Sequence, residues 1–157
     1  MTCTRNTGRS IRRRIEKDKY IMESEYAELI RKLKGNTVVA ELADGTLYRC
    51  EKGISTEVLA EEYEKDEEFF MDAALAVDRL DAMGAFLAVH MNVWYVFADN
   101  ISERATGILE DFGIEFEYGT KLPFIHMGKT ARDGKTMSYE EFVMDTDDPG
   151  EAIEMFF

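Results

Sequence analysis

Between Ala85 and Ala98 the chain reads AFLAVHMNVWYVFA, fourteen successive positions without an Asp, Glu, Lys or Arg. A stretch so free of charge has to be buried, and its β-branched and aromatic residues fall on both alternate faces. The pattern predicts a central strand covered by helices on both sides, or a short hairpin bent near Asn92. On the strand reading, Trp94 and Phe97 point to opposite buried faces. The rest of the chain must then supply the layers that cover this run.

Those layers are signalled on either side of it. Ser24 as cap, then Tyr26, Leu29, Ile30 and Leu33 at helical spacing, and Gly35 as stop predict a first helix. Thr37–Leu42 and Thr46–Cys50, joined by Asp44-Gly45, read as a β-hairpin. Ser55 or Thr56 caps an acidic helix to about Lys65. Asp66, Glu67 and Glu68 can open a second helix carrying Phe70, Ala73, Val77 and Leu80, continuous with the first or not, until Gly84. Asn100 with Glu103 forms a capping box for a helix bearing Ala105, Ile108, Leu109 and Phe112. Gly113 ends it before the alternating strand Ile114–Tyr118. Gly119–Thr136 reads mostly as loop, with an Asp-Gly turn at 133–134. A second capping box, Ser138 with Glu141, opens a short helix, and a last helical turn follows Pro149. The expected architecture is a single α+β domain: a mixed sheet of about four to five strands, comprising the N-terminal hairpin and the buried central strand, packed with three to five helices.

Charge divides the chain. Residues 1–34 hold ten Lys or Arg against five Asp or Glu, whereas residues 35–157 hold nine against twenty-seven, giving −13 in all. Residues 1–21 therefore read as a basic, flexible arm and residues 22–157 as an acidic globular domain. With 45% hydrophobic and 11% aromatic residues the body folds despite its charge. Cys3 and Cys50 are too few for a disulfide framework and fit a reducing compartment, so the expected location is cytoplasmic. No apolar run reaches the ~18 residues of a membrane span, and the basic N-terminus is not followed by a signal-type apolar core.

The motif search removes several chemistries. Gly128-Lys129-Thr130 and Gly134-Lys135-Thr136 resemble the end of a phosphate loop, but the glycine required five residues earlier is Pro123 or Lys129. Asp145, Asp147 and Gly150 match the start of a calcium loop, yet Pro149 and Phe156 stand at its fifth and twelfth positions. Neither His90 nor His126 has a second ligand at a metal-binding spacing. His90 reads as a core histidine. His126, beside Pro123 and Phe124, is the better catalytic candidate, but the serines near helix starts read as caps rather than nucleophiles. The sequence assigns no catalytic residue, metal or cofactor.

What remains is the sign of the charge. Between Glu57 and Glu68 only Lys65 is positive among eight charged residues, whereas solvated faces usually intersperse both signs. Glu57, Glu61, Glu62, Glu64, Asp66, Glu67 and Glu68, with Asp145, Asp147 and Asp148, form the candidate partner-binding surface. Glu61, Glu64 and Glu68 make one stripe. Carboxylates three to four residues apart on a helix lie about 5–6 Å apart, a spacing that can imitate phosphates. The expected function is an acidic inhibitor or modulator that occupies the basic, nucleic-acid-binding surface of a partner enzyme, as nuclease-immunity or anti-defence proteins do. The body itself should bind neither nucleic acid nor membrane. The alternative is a small enzyme or ligand-binding domain with a site near His126, Tyr118 and Asp99, which requires a concave pocket with convergent polar groups.

Overall fold

The computed structural model describes residues 25–130 and 136–157. Within them the hairpin β1 (Val38–Glu41) and β2 (Leu47–Cys50) forms as its turn chemistry requires. Gly45 adopts φ +87°, and the Asp44 carboxylate accepts the Thr46 N–H at 2.9 Å. The helix α2 (Ser55–Lys65) leads to β3 (Ala74–Leu80), α3 (Ala82–His90), β4 (Tyr95–Ser102), α4 (Glu103–Asp111) and β5 (Glu115–Leu122). The sheet order is β2-β1-β3-β4-β5. Here β1 is antiparallel to both neighbours, and β3, β4 and β5 are parallel.

Each new parallel strand is added on the same side, so right-handed crossovers put the connecting helices on one face of the sheet. That face carries the main core, in which Val38, Leu75, Val77, Val96 and Ala98 meet Leu59, Met83, Phe86, Leu87 and Leu109. A small hairpin, β6 (Gly128–Thr130) with β7 (Thr136–Ser138), leads to α5 (Tyr139–Phe142), and α6 (Pro149–Phe156) ends the chain. Gly128 lies so close to β7 that a Cβ there would stand 2.0 Å from the Met137 carbonyl oxygen. The opposite face of the sheet is covered by α1 (Ala27–Lys32). Its Tyr26, Leu29 and Leu33 pack on Val39, Ala74, Ala76 and Tyr95, and Tyr26 stacks flat on Tyr95 at 3.6 Å between ring centres. The α+β class and the mixed sheet are as expected, with six helices and an additional two-stranded hairpin among the described residues. The basic arm, Ser24 and the 133–134 turn lie outside those residues.

Two assignments change. The segment expected to be a second helix carrying Phe70, Ala73, Val77 and Leu80 is a reversal followed by β3, in which Ala74–Val77 are buried on both faces. Asp72 breaks the chain direction with φ +60°. The uncharged run at 85–98 is no single strand: its first part is α3, and it turns at Asn92 (φ +62°) into β4. A helix buried on every side has no polar face, so it loses the 3.6-residue periodicity that distinguishes it from a buried strand. Gly84, expected to end a helix, lies inside α3 instead. A Cβ there would sit 2.9 Å from Leu80 Cδ1 and 3.1 Å from Thr56 Oγ1, so the glycine admits α2 against α3.

Burial follows this correction. Phe97 is half-buried against α1, but Trp94 is 41% exposed, so opposite-face burial fails at Trp94. His90 is exposed at the end of α3, its Nε2 3.0 Å from the Tyr63 hydroxyl, and is no core histidine. Phe86, fully buried in α3, is the better test of the core. Phe86→Ala should cost about 3–5 kcal/mol in denaturant unfolding. Trp94→Ala should cost distinctly less, and equal losses would contradict this packing.

Candidate functional site

In a parallel sheet, the carboxyl ends of the strands and the amino ends of the following helices are where ligands usually bind. Here that edge holds a buried polar cluster. Asp81, between β3 and α3, is the α3 N-cap: its Oδ1 accepts the Gly84 N–H at 2.8 Å and the Thr56 hydroxyl at 2.8 Å. Ser55 donates to the Arg79 carbonyl at 2.5 Å. The first hydroxyls of α2 therefore tie it to the end of β3 and to α3, while its actual N-cap is Ile54. Ser102 is the cap of α4, accepting the Ala105 N–H at 3.1 Å, so the cap lies two residues beyond Asn100, and Glu103, the first residue of the helix, is not placed for the capping box expected with Asn100.

Glu140 on α5 completes the cluster. The Ser102 hydroxyl and the backbone N–H groups of Ala82 and Ile125 lie against its carboxylate and stabilise its charged form. Burial outweighs them and raises its pKa. Asp81, with no exposed surface, is pushed up to about 7, chiefly by burial and with the charge of Glu140 acting in the same direction. One oxygen of each carboxylate, Asp81 Oδ2 and Glu140 Oε1, is buried without a hydrogen-bond partner among the described residues.

The chain closes this edge with its own residues. Ile125 and Met127 are buried over it, the Met127 sulfur lies 3.9 Å from the Ser55 hydroxyl, and the Tyr139 N–H donates to the Met127 carbonyl at 2.6 Å. Tyr139 donates its hydroxyl to Glu57, and burial together with that carboxylate raises the phenol pKa. Arg104 fastens the chain after α5, donating to the Val143 and Thr146 carbonyls at 2.5 Å each. Sequence reading missed Asp81 and Glu140. Asp81 had a local signal, a carboxylate just before an apolar run. Glu140 had none, because its partners are distant in sequence.

The sequence-predicted surface residues separate into two kinds. Glu57 and Glu62 are half-buried acceptors, Glu62 for the Tyr48 hydroxyl at 2.8 Å. Asp148 is the α6 N-cap, accepting the Gly150 N–H at 3.0 Å, and Asp147 lies 3.8 Å from Arg104. Asp145 is exposed. Glu61, Glu64, Asp66, Glu67 and Glu68 are exposed with Lys65 in one short segment. Because α2 ends at Lys65 and Asp66 is extended, Glu68 does not continue the stripe begun by Glu61 and Glu64 on one helix. The two acidic groups are also apart: the end of α6 reaches Tyr63 of α2 through Phe157, whereas Asp145–Asp148 precede the other end, roughly 12 Å away along the helix. His126 is exposed against Phe124, Tyr118 is exposed beneath Lys121, and Asp99 opens on the α1 side of the sheet. The structure does not gather these three into one site.

Residues 19–157 match the family described as TM1506, domain of unknown function DUF1893. The chain belongs to this family. A crystal structure of a DUF1893 family protein (TM1506) from Thermotoga maritima shares the fold, with a TM-score of 0.65 at 22% identity over 83% of this chain and 84% of that one. No curated protein matches the sequence. In this DUF1893 chain, no three His, Cys, Asp or Glu among the described residues form a metal-binding group, and no described helix is long and apolar enough to cross a membrane.

The closed cluster has a consequence for stability. An aspartate with a raised folded-state pKa keeps its proton in the native state while the unfolded chain releases it, so stability falls as pH rises from about 4 towards 7. Asp81→Asn keeps the Oδ1 acceptor and removes the titration. The variant should gain on the wild type across this window, by on the order of 3 kcal/mol at pH 7.5, in paired denaturant titrations. A difference that does not change with pH would contradict the dry cluster.

Proposed function

We propose that this protein is a cytoplasmic acidic binding protein that inhibits or modulates a partner by covering its basic surface, the partner being of the nucleic-acid-processing class. The supporting observation is the exposed run Glu61, Glu64, Asp66, Glu67 and Glu68, five carboxylates against the single ammonium of Lys65. Such a segment costs self-repulsion when free, and a cationic surface relieves it while steering association. Because α2 ends at Lys65, the likeness to nucleic acid rests on charge density rather than on a regular helical array. The filled edge of the parallel strands supports the same reading, since the usual position for a substrate is taken by Ile125 and Met127.

The test is affinity capture of a partner from cell extract, followed by competition between the protein and nucleic acid for it. Wild type should hold a basic partner at about 0.05 M salt, release it by about 0.5 M, and displace nucleic acid from it. Replacing Glu61, Glu64 and Glu68 together by Gln should weaken capture at least tenfold without loss of stability, while His126→Ala should bind normally. Salt-independent capture, or capture unaffected by the triple substitution, would contradict the proposal.

A further inference from the structure

We propose that the groove between α1 and the adjoining face of β3 and β4 binds a small free organic cation, a guanidinium or primary ammonium carried on a short apolar body. The groove measures about 400 Å³, within the range of small-molecule sites. Ile30 and Leu33 of α1 form one wall, Phe97 of β4 supplies an aromatic surface, and Asp78 and Asp99 bring two carboxylates. Lys34, exposed at the rim, is the one cation lining it among the described residues, where the two carboxylates outnumber it.

The polar atoms point to a donor-rich ligand. The Asn36 amide nitrogen donates to the Lys32 carbonyl at 2.8 Å, which fixes its oxygen as the remaining acceptor. That oxygen and Asp78 Oδ1 are both buried without a hydrogen-bond partner among the described residues. Burial raises the pKa of Asp78, outweighing the charge of Arg79 and the hydrogen bonds from Ser55 and the backbone, which act in the opposite direction. Rotation about the last torsion of Asp78 exchanges its two oxygens between the wall and the groove. A guanidinium offers five N–H donors and an ammonium three, whereas an anion would meet two carboxylates with only Lys34 among the described lining residues to pair with it. Phe97 and the α1 side chains suit the apolar body, and an aromatic face also attracts a cation. Nothing in this inference depends on the acidic segment after α2.

The test is titration of the full chain with n-butylguanidinium, n-butylammonium and the neutral isostere n-butylurea, followed by amide NMR shifts. Both cations should give saturable shifts at Gly35, Asn36 and Phe97, and n-butylurea should bind at least about tenfold more weakly. Asp99→Asn, at an exposed position, should retain the wild-type unfolding midpoint and lose about tenfold in affinity for n-butylguanidinium, with Asp78→Asn acting in the same direction. Equal binding of n-butylurea, shifts centred on Glu61–Glu68, unchanged affinity in both Asn variants, or binding of an arginine-rich peptide without either free cation would overturn it.

Discussion

The absence of a polar face on α3 governs the rest of the molecule. All of Ala82–Ala88 is buried, so this helix needs protein on every side, and the sheet covers only one. The others are supplied by α2, α4, α5 and α6, which all pack on α3. A helix wholly inside protein must also have its first N–H groups satisfied inside protein. Asp81 does this by accepting from Gly84, and Thr56 holds the same oxygen from α2. Burial of a carboxylate at that position is therefore a consequence of burying the helix, and the raised pKa of Asp81 is its electrostatic cost.

The same requirement shapes the edge where ligands usually bind in parallel sheets. With α5 docked on α3, Glu140 comes to lie near Asp81, and Ile125 and Met127 close over both. Arg104 secures the chain beyond α5 through two backbone carbonyls, its guanidinium 5.6 Å from the Phe86 ring centre on α3. Polar chemistry at this edge thus ties α2, α3 and α5 together, and the recognition proposed above falls to surfaces that α3 does not need. Two such surfaces lie on different sides of the sheet: the acidic segment that leaves α2, and the groove beside α1.

Legibility in the sequence followed the range of the determining interactions. Asp44-Gly45, Gly35 and the pair Ser138–Glu141 act within a few residues, and the hairpin, the end of the first helix and the α5 capping box all form where they indicate. The segment from Glu67 to Ala98 is different. In β3 and α3 alike, burial on every side makes nearly all positions apolar, so neither the period of two nor that of 3.6 survives to tell strand from helix. Trp94 illustrates the limit: its chemistry suggests the core, but the turn at Asn92 places it at the start of β4, substantially exposed. Of the acidic residues, composition identified the dense run correctly as charge. Tyr48 and Tyr139, distant in sequence, decide that Glu62 and Glu57 are internal acceptors instead.

The central claim is that the edge formed by the ends of β3 and β4 is closed and dry around Asp81 and Glu140. Its most direct measurement is site-resolved titration of the side-chain carboxyl carbons by NMR in the intact protein. The expected result is an Asp81 pKa near 7, with Glu140 also above the ordinary glutamate value. Ordinary values for both would mean that water reaches this edge freely, and would contradict the claim that the chain fills its own crevice.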